Sequence, residues 1–309
     1  MANTITGMYN DNVARVGLSA YASMLAPLSA FSLNLSADAA SQGLAVKTRI
    51  VPVTSGTVGD LVTTHTGLYT DAIDDVAMTA VDVSLSAHPV MCFALTDSEN
   101  NEVESGVMSD TLIRMIKSNA YAISTNVLAT VWATIDTTYA TGVSAVAASA
   151  FDADDVADLR TYCSMTSAWH FGEGDETLIL DSNYYGALRK DNAIQDLSAS
   201  GLNTLQSGMV SMCNGFKRIE APTLAASAAS NTGAFACKPA GQAIAMRGVN
   251  TQSSPDFMAF EIMQDDESDV VLTYSAWFDR NYKRVIHCFE TLWGRADANT
   301  SAIVRVTSA

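Results

Sequence analysis

Hydrophobic and polar positions change period several times along this chain, and each change marks an element. Residues 44–53 alternate, with Leu44, Val46, Thr48 and Ile50 on one face and Lys47, Arg49 and Val51 on the other, the two-residue period of a strand. A second alternation sets Thr79, Val81, Val83 and Leu85 against Asp82, Ser84 and Ser86. Between them residues 54–75 are dense in Gly, Thr and Asp and have no period. Connections that long are uncommon inside compact domains and tend to be functional or ordered by a partner. The two strands and this tip predict a long hairpin reaching away from the body, against the plainer alternative of a surface loop. Ahead of it, residues 1–40 are rich in Ala, Ser, Asn and Leu and read as an arm, with a short helix over 13–25 that Pro27 ends.

Leu112, Ile116, Ile123, Val127, Val131 and Ile135 then recur at helical spacing, with Ala120 in the missing turn, and Ile113, Leu128 and Trp132 widen the stripe. An apolar face sustained for about 26 residues implies a helix of roughly 39 Å. Flanking charges are too sparse for a coiled coil, so the helix braces a globular body. After a small-residue link at 142–150, Phe151, Asp152, Asp155 and Val156 form a capping box with a hydrophobic staple. A buried strand is expected at 177–180, a short helix at 183–190 and a Gly-punctuated, strand-ending segment at 209–219. Residues 224–234 read as an Ala/Ser loop, and 242–249 as one more strand of the same mixed block. The C-terminal part turns strand-rich: 257–263 and 270–278 joined by an acidic turn, then 285–292 and 302–306 with Gly294 punctuating between them.

Composition narrows the classes of function. Lys and Arg number 17 against 33 Asp and Glu, a net charge of −16, so the chain repels phosphate overall and no basic strip offsets this. Only 16% of residues are charged, against roughly 25% in an ordinary soluble domain. Something other than water covers much of such a surface, either subunit contacts or a membrane. No run approaches the roughly 18 uninterrupted apolar residues of a spanning helix, and the apolar segment at 18–33 lacks a basic lead-in, so subunit contacts are the better reading. Five scattered cysteines, with no CxxC pair, read as small core residues of a protein in a reducing compartment.

Catalytic signatures are missing from the sequence: it has no GxSxG, HExxH or GxxxxGK[ST]. Gly172 to Glu176 lacks the third glycine of a dinucleotide loop, and its carboxylates would repel a pyrophosphate, so it reads as a turn. Asp265, Asp266, Glu267 and Asp269 lack the central glycine and distal glutamate of a calcium loop and read as a solvated hairpin turn. His65, His88, His170 and His287 are far apart, and His287 and its neighbour Cys288 point to opposite faces of a strand. Asp181, His170 and Ser182 have no spacing that prefers a triad. No catalytic residue, cofactor or metal is expected.

The order of elements, arm, hairpin, long helix, mixed block and closing strands, resembles the major capsid protein of tailed double-stranded DNA bacteriophages, with its α+β Hong Kong 97-like fold. The stretch from Val81 to Asp97 resembles that family's hairpin return strand leading to the spine helix; Tyr274 to Asp279, Glu290 to Gly294 and the strand at 302–306 resemble its closing strands. The resemblance implies an N-terminal arm (1–43), an extended loop hairpin (44–88), a peripheral domain with the spine helix (89–150), an axial domain (151–250) and the peripheral domain's C-terminal strands (251–309). It implies a non-enzymatic protein that self-assembles as hexamers and pentamers into an icosahedral shell in the host bacterial cytoplasm. Scaffolding and portal proteins would be its partners, and packaged DNA would fill the lumen without specific binding. Leu61, Val62, Leu68 and Tyr69 at the loop tip would make intersubunit contacts. Some members crosslink subunits through a loop lysine; residues 54–75 contain none, and Lys47 sits near the base, which argues against crosslinking. The alternatives are a nanocompartment shell enclosing a cargo enzyme, an α/β enzyme whose site forms only in three dimensions, and a tail or decoration subunit.

Overall fold

A computed structural model describes residues 5–36, 45–50, 79–96, 98–99, 109–171, 173–191, 194, 212–224, 231–249, 257–266 and 268–309. From the N-terminus, helix α1 (Ile5–Leu25) and strand β1 (Ser32–Asn34) precede the hairpin strands β2 (Ala45–Ile50) and β3 (Thr79–Ser84), then β4 (Val90–Thr96) and helix α2 (Ser109–Thr138). Next come β5 (Ala140–Val143), α3 (Ala153–Met165), β6 (Thr177–Leu180), α4 (Ser182–Lys190), β7 (Met212–Cys213), β8 (Phe216–Glu220) and β9 (Thr232–Cys237). The chain closes with β10 (Gln242–Arg247), β11 (Phe257–Gln264), β12 (Val271–Asp279), β13 (Arg284–Glu290), β14 (Leu292–Asp297) and β15 (Ile303–Thr307).

The chain divides into two compact units: unit 1 is Met1–Val46, Val83–Thr134 and Ala243–Ala296, and unit 2 is Lys47–Asp82, Ile135–Gln242 and Asp297–Ala309. Unit 1 contains a three-stranded sheet in the order β1-β10-β14 and a four-stranded sheet in the order β11-β12-β13-β4. Helix α1 starts eight residues before the expected 13 and is built into this unit rather than standing off as an arm. Tyr21, Leu25 and Phe31 are wholly buried, and the Tyr21 hydroxyl reaches the Met246 sulfur at 3.5 Å. The predicted stripe of α2 is buried as expected, from Leu112 through Ile135, whereas Ile113 on its flank stays 37% exposed.

Unit 2 is organised on a mixed six-stranded sheet in the order β5-β15-β9-β6-β8-β7. Asp152 caps α3 as its spacing predicts, accepting from the amides of Asp154 and Asp155, while the Asp155 carboxylate accepts from the Asp152 amide. Phe151 and Val156 share one core with Leu159, Leu178, Tyr184 and Val304.

Expectations about the strands also fail, for physical reasons. The Ala/Ser run read as loop through 234 becomes β9 from Thr232; all six of its residues are buried, and a strand covered on both faces loses polar alternation. The strand expected at 242–249 joins unit 1, between β1 and β14, rather than the mixed block. Gly294 does not punctuate but sits inside β14, where a side chain would meet the Ser84 carbonyl. The last strand, β15, lies between β5 and β9 in unit 2 instead of closing with the neighbouring C-terminal strands.

Candidate assembly surfaces

The four-stranded sheet of unit 1 is fully antiparallel, and its register defines its faces. Ile262, Thr273, Glu290 and Val90 stand opposite one another in one row, and Phe260, Ser275, Cys288 and Cys92 in the next, so all eight share a face. The reverse face carries Tyr274, Phe289 and His287, and Phe289 is the side chain that a residue larger than Gly17 of α1 would strike. On the first face, the Val249 amide donates to the Thr273 hydroxyl at 3.0 Å, so the middle is covered while Ile262 and Val90 at the edges remain 46% and 47% exposed.

Cys92 and Cys288 are joined in a disulfide, with Cα atoms 4.1 Å apart. This corrects the reading of all five cysteines as unpaired core residues: antiparallel pairing of β4 with β13 brings together two positions separated by 196 residues, which no spacing rule detects. Cys163 and Cys237 are the buried free thiols expected of core residues, and burial pushes Cys163 up to about 12. On the opposite face, His287 is stacked against Phe93 at 5.0 Å and shares a 2.8 Å hydrogen bond between its Nδ1 and the Tyr274 hydroxyl. Burial holds its pKa down at about 4.

In unit 2 the Glu173 to Glu176 stretch is not a plain turn but wraps a lysine from β9's end. Lys238 Nζ lies 2.7 Å from Glu173, 3.6 Å from Asp175 and 3.9 Å from Glu176, and 5.8 Å from the Trp169 ring. Burial pulls the Lys238 pKa down, but the hydrogen bond to Glu173 and the neighbouring carboxylates outweigh it and leave it raised. The ion pair holds Glu173 below the usual carboxylate range. Glu176 itself is only 2% exposed. The three carboxylates close on a cation of their own chain, which is a structural knot rather than an open acidic site.

The residues weighed for a triad are engaged apart. Ser182 donates to Glu220 at 2.7 Å, Asp181 caps α4 by accepting from the Asn183 amide at 3.0 Å, and the His170 carbonyl accepts from Lys238. His88 pairs with Glu290 at 2.8 Å. Among the described residues no group of three or more His, Cys, Asp or Glu side chains is arranged to hold a metal ion. No described helix is long and apolar enough to cross a membrane. Among the described residues the concavities are open grooves: one of about 730 Å³ beside Phe151 and Asp191 in unit 2, and two in unit 1, of about 590 Å³ between Arg15 and Leu18 of α1 and Glu261 to Asp266, and of about 450 Å³ between His88 to Met91 and Ile123 of α2.

Sequence reasoning overlooked one turn it had the signal for. Asn214 and Gly215 both have positive φ, 50° and 89°, and join β7 to β8 as an Asn-Gly hairpin. Arg160 of α3 donates to the Asn214 carbonyl at 2.9 Å and fixes the turn. Leu61, Val62, Leu68, Tyr69 and His65, with the whole loop tip, lie outside the described residues.

No protein-family model matches the sequence, and no curated protein does. Solved structures do resemble it in fold. The capsid of cyanophage P-SCSP1u matches over 90% of this chain and 86% of its own, with a TM-score of 0.54 and 14% identity. The mature capsid of bacteriophage PhiM1 matches over 91% and 86%, at 0.55 and 10%. A virus-like particle from Pyrococcus furiosus matches over 96% and 99%, at 0.50 and 11%. Taken with the long helix, the hairpin strands and the two sheet-bearing units, these matches show that the chain has the α+β, Hong Kong 97-like fold of phage capsid proteins.

Proposed function

We propose that this chain is the major capsid protein of a tailed bacteriophage, assembling as hexamers and pentamers into an icosahedral shell around packaged double-stranded DNA. The observation that carries the reading is the fold match to phage capsids over nine-tenths of the chain. The distribution of apolar surface supports it: among the large exposed hydrophobic side chains of the described residues, Met165 alone lies in unit 2, and the others, such as Met258, Ile262, Phe278 and Val90, lie in unit 1. Apart from the extended loop at residues 44–88, whose Leu61, Val62, Leu68 and Tyr69 contact a neighbour, unit 1 is then the peripheral domain with α2 as its spine and unit 2 the axial domain. A net charge of −16 suits a wall that DNA packs against without sticking. Assembly takes place in the host bacterial cytoplasm, with scaffolding and portal proteins as partners, and the role is non-enzymatic.

Sedimentation and negative-stain microscopy of the purified protein test this: capsomers or closed particles are expected, and a monomer at every salt and scaffold condition overturns it. A second reading, a nanocompartment shell, shares the same fold, and the match to a virus-like particle from Pyrococcus furiosus keeps it beside the first. Nuclease-protected duplex DNA inside particles from infected cells supports the first; a co-purifying enzyme without DNA supports the second.

A further inference from the structure

We propose that the two ends of the four-stranded sheet bind each other between copies of this chain, the basic β12–β13 turn of one subunit docking on the acidic β11–β12 turn of the next. The inference rests on the reading of the chain as a self-associating shell subunit. Both turns flank β12, one before Val271 and one after Asp279, so they sit at opposite ends of that nine-residue strand. At ~3.3 Å per residue they are roughly 27 Å apart, too far to meet within one subunit.

The basic end is unusual in a chain where anions outnumber cations 33 to 17. Arg280, Lys283 and Arg284 fall within five residues there. Arg284 is spoken for: its Nε pairs with Asp279 at 3.3 Å, and its guanidinium lies 4.8 Å from the Tyr282 ring. Arg280 and Lys283 are exposed and make no ion pair among the described residues, and Tyr282 between them is 72% exposed, with Phe278 beside it at 47%. Arginine and tyrosine are, with tryptophan, the side chains enriched among interface anchors.

The acidic end is a turn held in shape. Asp265 accepts from the amide and hydroxyl of Ser268, Asp269 accepts from Gln264 at 3.0 Å, and Asn34 donates to the Ser268 carbonyl at 2.7 Å. Asp266 and Asp269 are exposed on it. A preformed anionic turn meeting a cationic, aromatic one is complementary in charge, and contact between different patches of identical chains propagates head to tail, giving a ring where the rotation between neighbours closes. Duplex DNA is the weaker candidate, because two uncommitted cations displace few counterions.

Carbodiimide coupling of mixed isotopically light and heavy chains tests the contact. A light-to-heavy amide link between Lys283 and a carboxylate within residues 265–269 is the expected product, read by mass spectrometry. Arg280→Glu/Lys283→Glu and Asp266→Lys, each confirmed folded by circular dichroism, should each lower particle yield at least tenfold, and mixing the two variants should restore association into even-numbered capsomers, read by sedimentation, in which the variants alternate and their charges complement at every contact. Wild-type particles without that link, or variants that assemble alone as the wild type does, overturn the inference and leave the shell reading standing. A wild-type protein with neither link nor particles overturns both. Protection of Lys283 by duplex DNA instead of by a second chain assigns the turn to nucleic acid and also overturns it.

Discussion

The two sheets of this chain solve the same packing problem to different extents. In unit 2 the central strands β6 and β9 are buried at every position by the chain's own helices and loops, and no large apolar side chain of the described residues is exposed on that sheet. In unit 1 the edge strands β11 and β4 keep Met258 56% exposed, Ile262 46% and Val90 47%. Apolar side chains left open along a sheet's edges mark a surface that association completes. Unit 2 is therefore expected to owe its stability to internal contacts, and unit 1 to owe part of its burial to neighbours.

The largest effect should come from breaking unit 2 from within. Lys238→Ala removes the cation shared by Glu173, Asp175 and Glu176 and leaves Glu176, 2% exposed, without it. Loss of the contact to exposed Glu173 costs little, whereas a buried carboxylate deprived of its nearby cation is the costly half of a broken ion pair, so the destabilisation should come through Glu176. Chemical unfolding of the unassembled subunit measures the loss. An unchanged midpoint would show that the knot is surface decoration and that unit 2 is not self-sufficient in the way its burial suggests.

Next in size is a pH effect confined to unit 1. The His287 pKa, held by burial at about 4 in the folded chain, returns to the ordinary 6.5 on unfolding. The unfolded state therefore binds the extra proton first: nothing changes above pH 6.5, stability falls as pH drops from there, and the loss is complete below about 4, at about 3 kcal/mol. His287→Phe, stacked on Phe93, should flatten that part of the profile relative to the wild type. Denaturation midpoints at pH 7.5 and pH 5 for both proteins decide it; equal acid sensitivity would mean that the imidazole is already charged in the fold.

Local signals were legible in the sequence and long-range ones were not. The stripe of α2, the capping box at Asp152 and the strand at 177–180 each rest on residues within a turn or two of one another. Strand β9 hid because burial on both faces erased its alternation, and β14 because Gly294 is required by the approach of Ser84 from a distant part of the chain. The Cys92–Cys288 pair depends on register across 196 residues. The same limit applies to the candidate surfaces: no window of sequence reveals that Met258 and Val90 stay open while Leu272 and Phe289, equally apolar, are wholly buried.

A smaller effect, again in unit 2, separates capping from packing. Asp152→Ala deletes the acceptor for the Asp154 and Asp155 amides at the start of α3 and should cost about 1 kcal/mol, whereas Asp152→Asn keeps an acceptor and should recover most of it. Thermal unfolding of the two variants reads the difference. Equal losses would mean that the charge, not the cap, is what this position contributes.

The smallest effect on folding is the sharpest test of the comparison, because it should coincide with a large effect on assembly. Met258→Ser and Val90→Thr alter side chains that are 56% and 47% exposed in the isolated subunit. Val90→Thr keeps the branched shape that a strand prefers, and neither change opens a cavity, so each should shift subunit stability by no more than about 0.5 kcal/mol. In an assembled shell the same atoms would be removed from water, where each lost apolar contact recurs at every copy of the interface. Unfolding midpoints within error of the wild type, together with fewer or less stable particles by sedimentation, are expected. A double variant that unfolds easily yet assembles normally would reverse the assignment, making these edge positions part of the subunit's own core and leaving the open surface of unit 1 without a role.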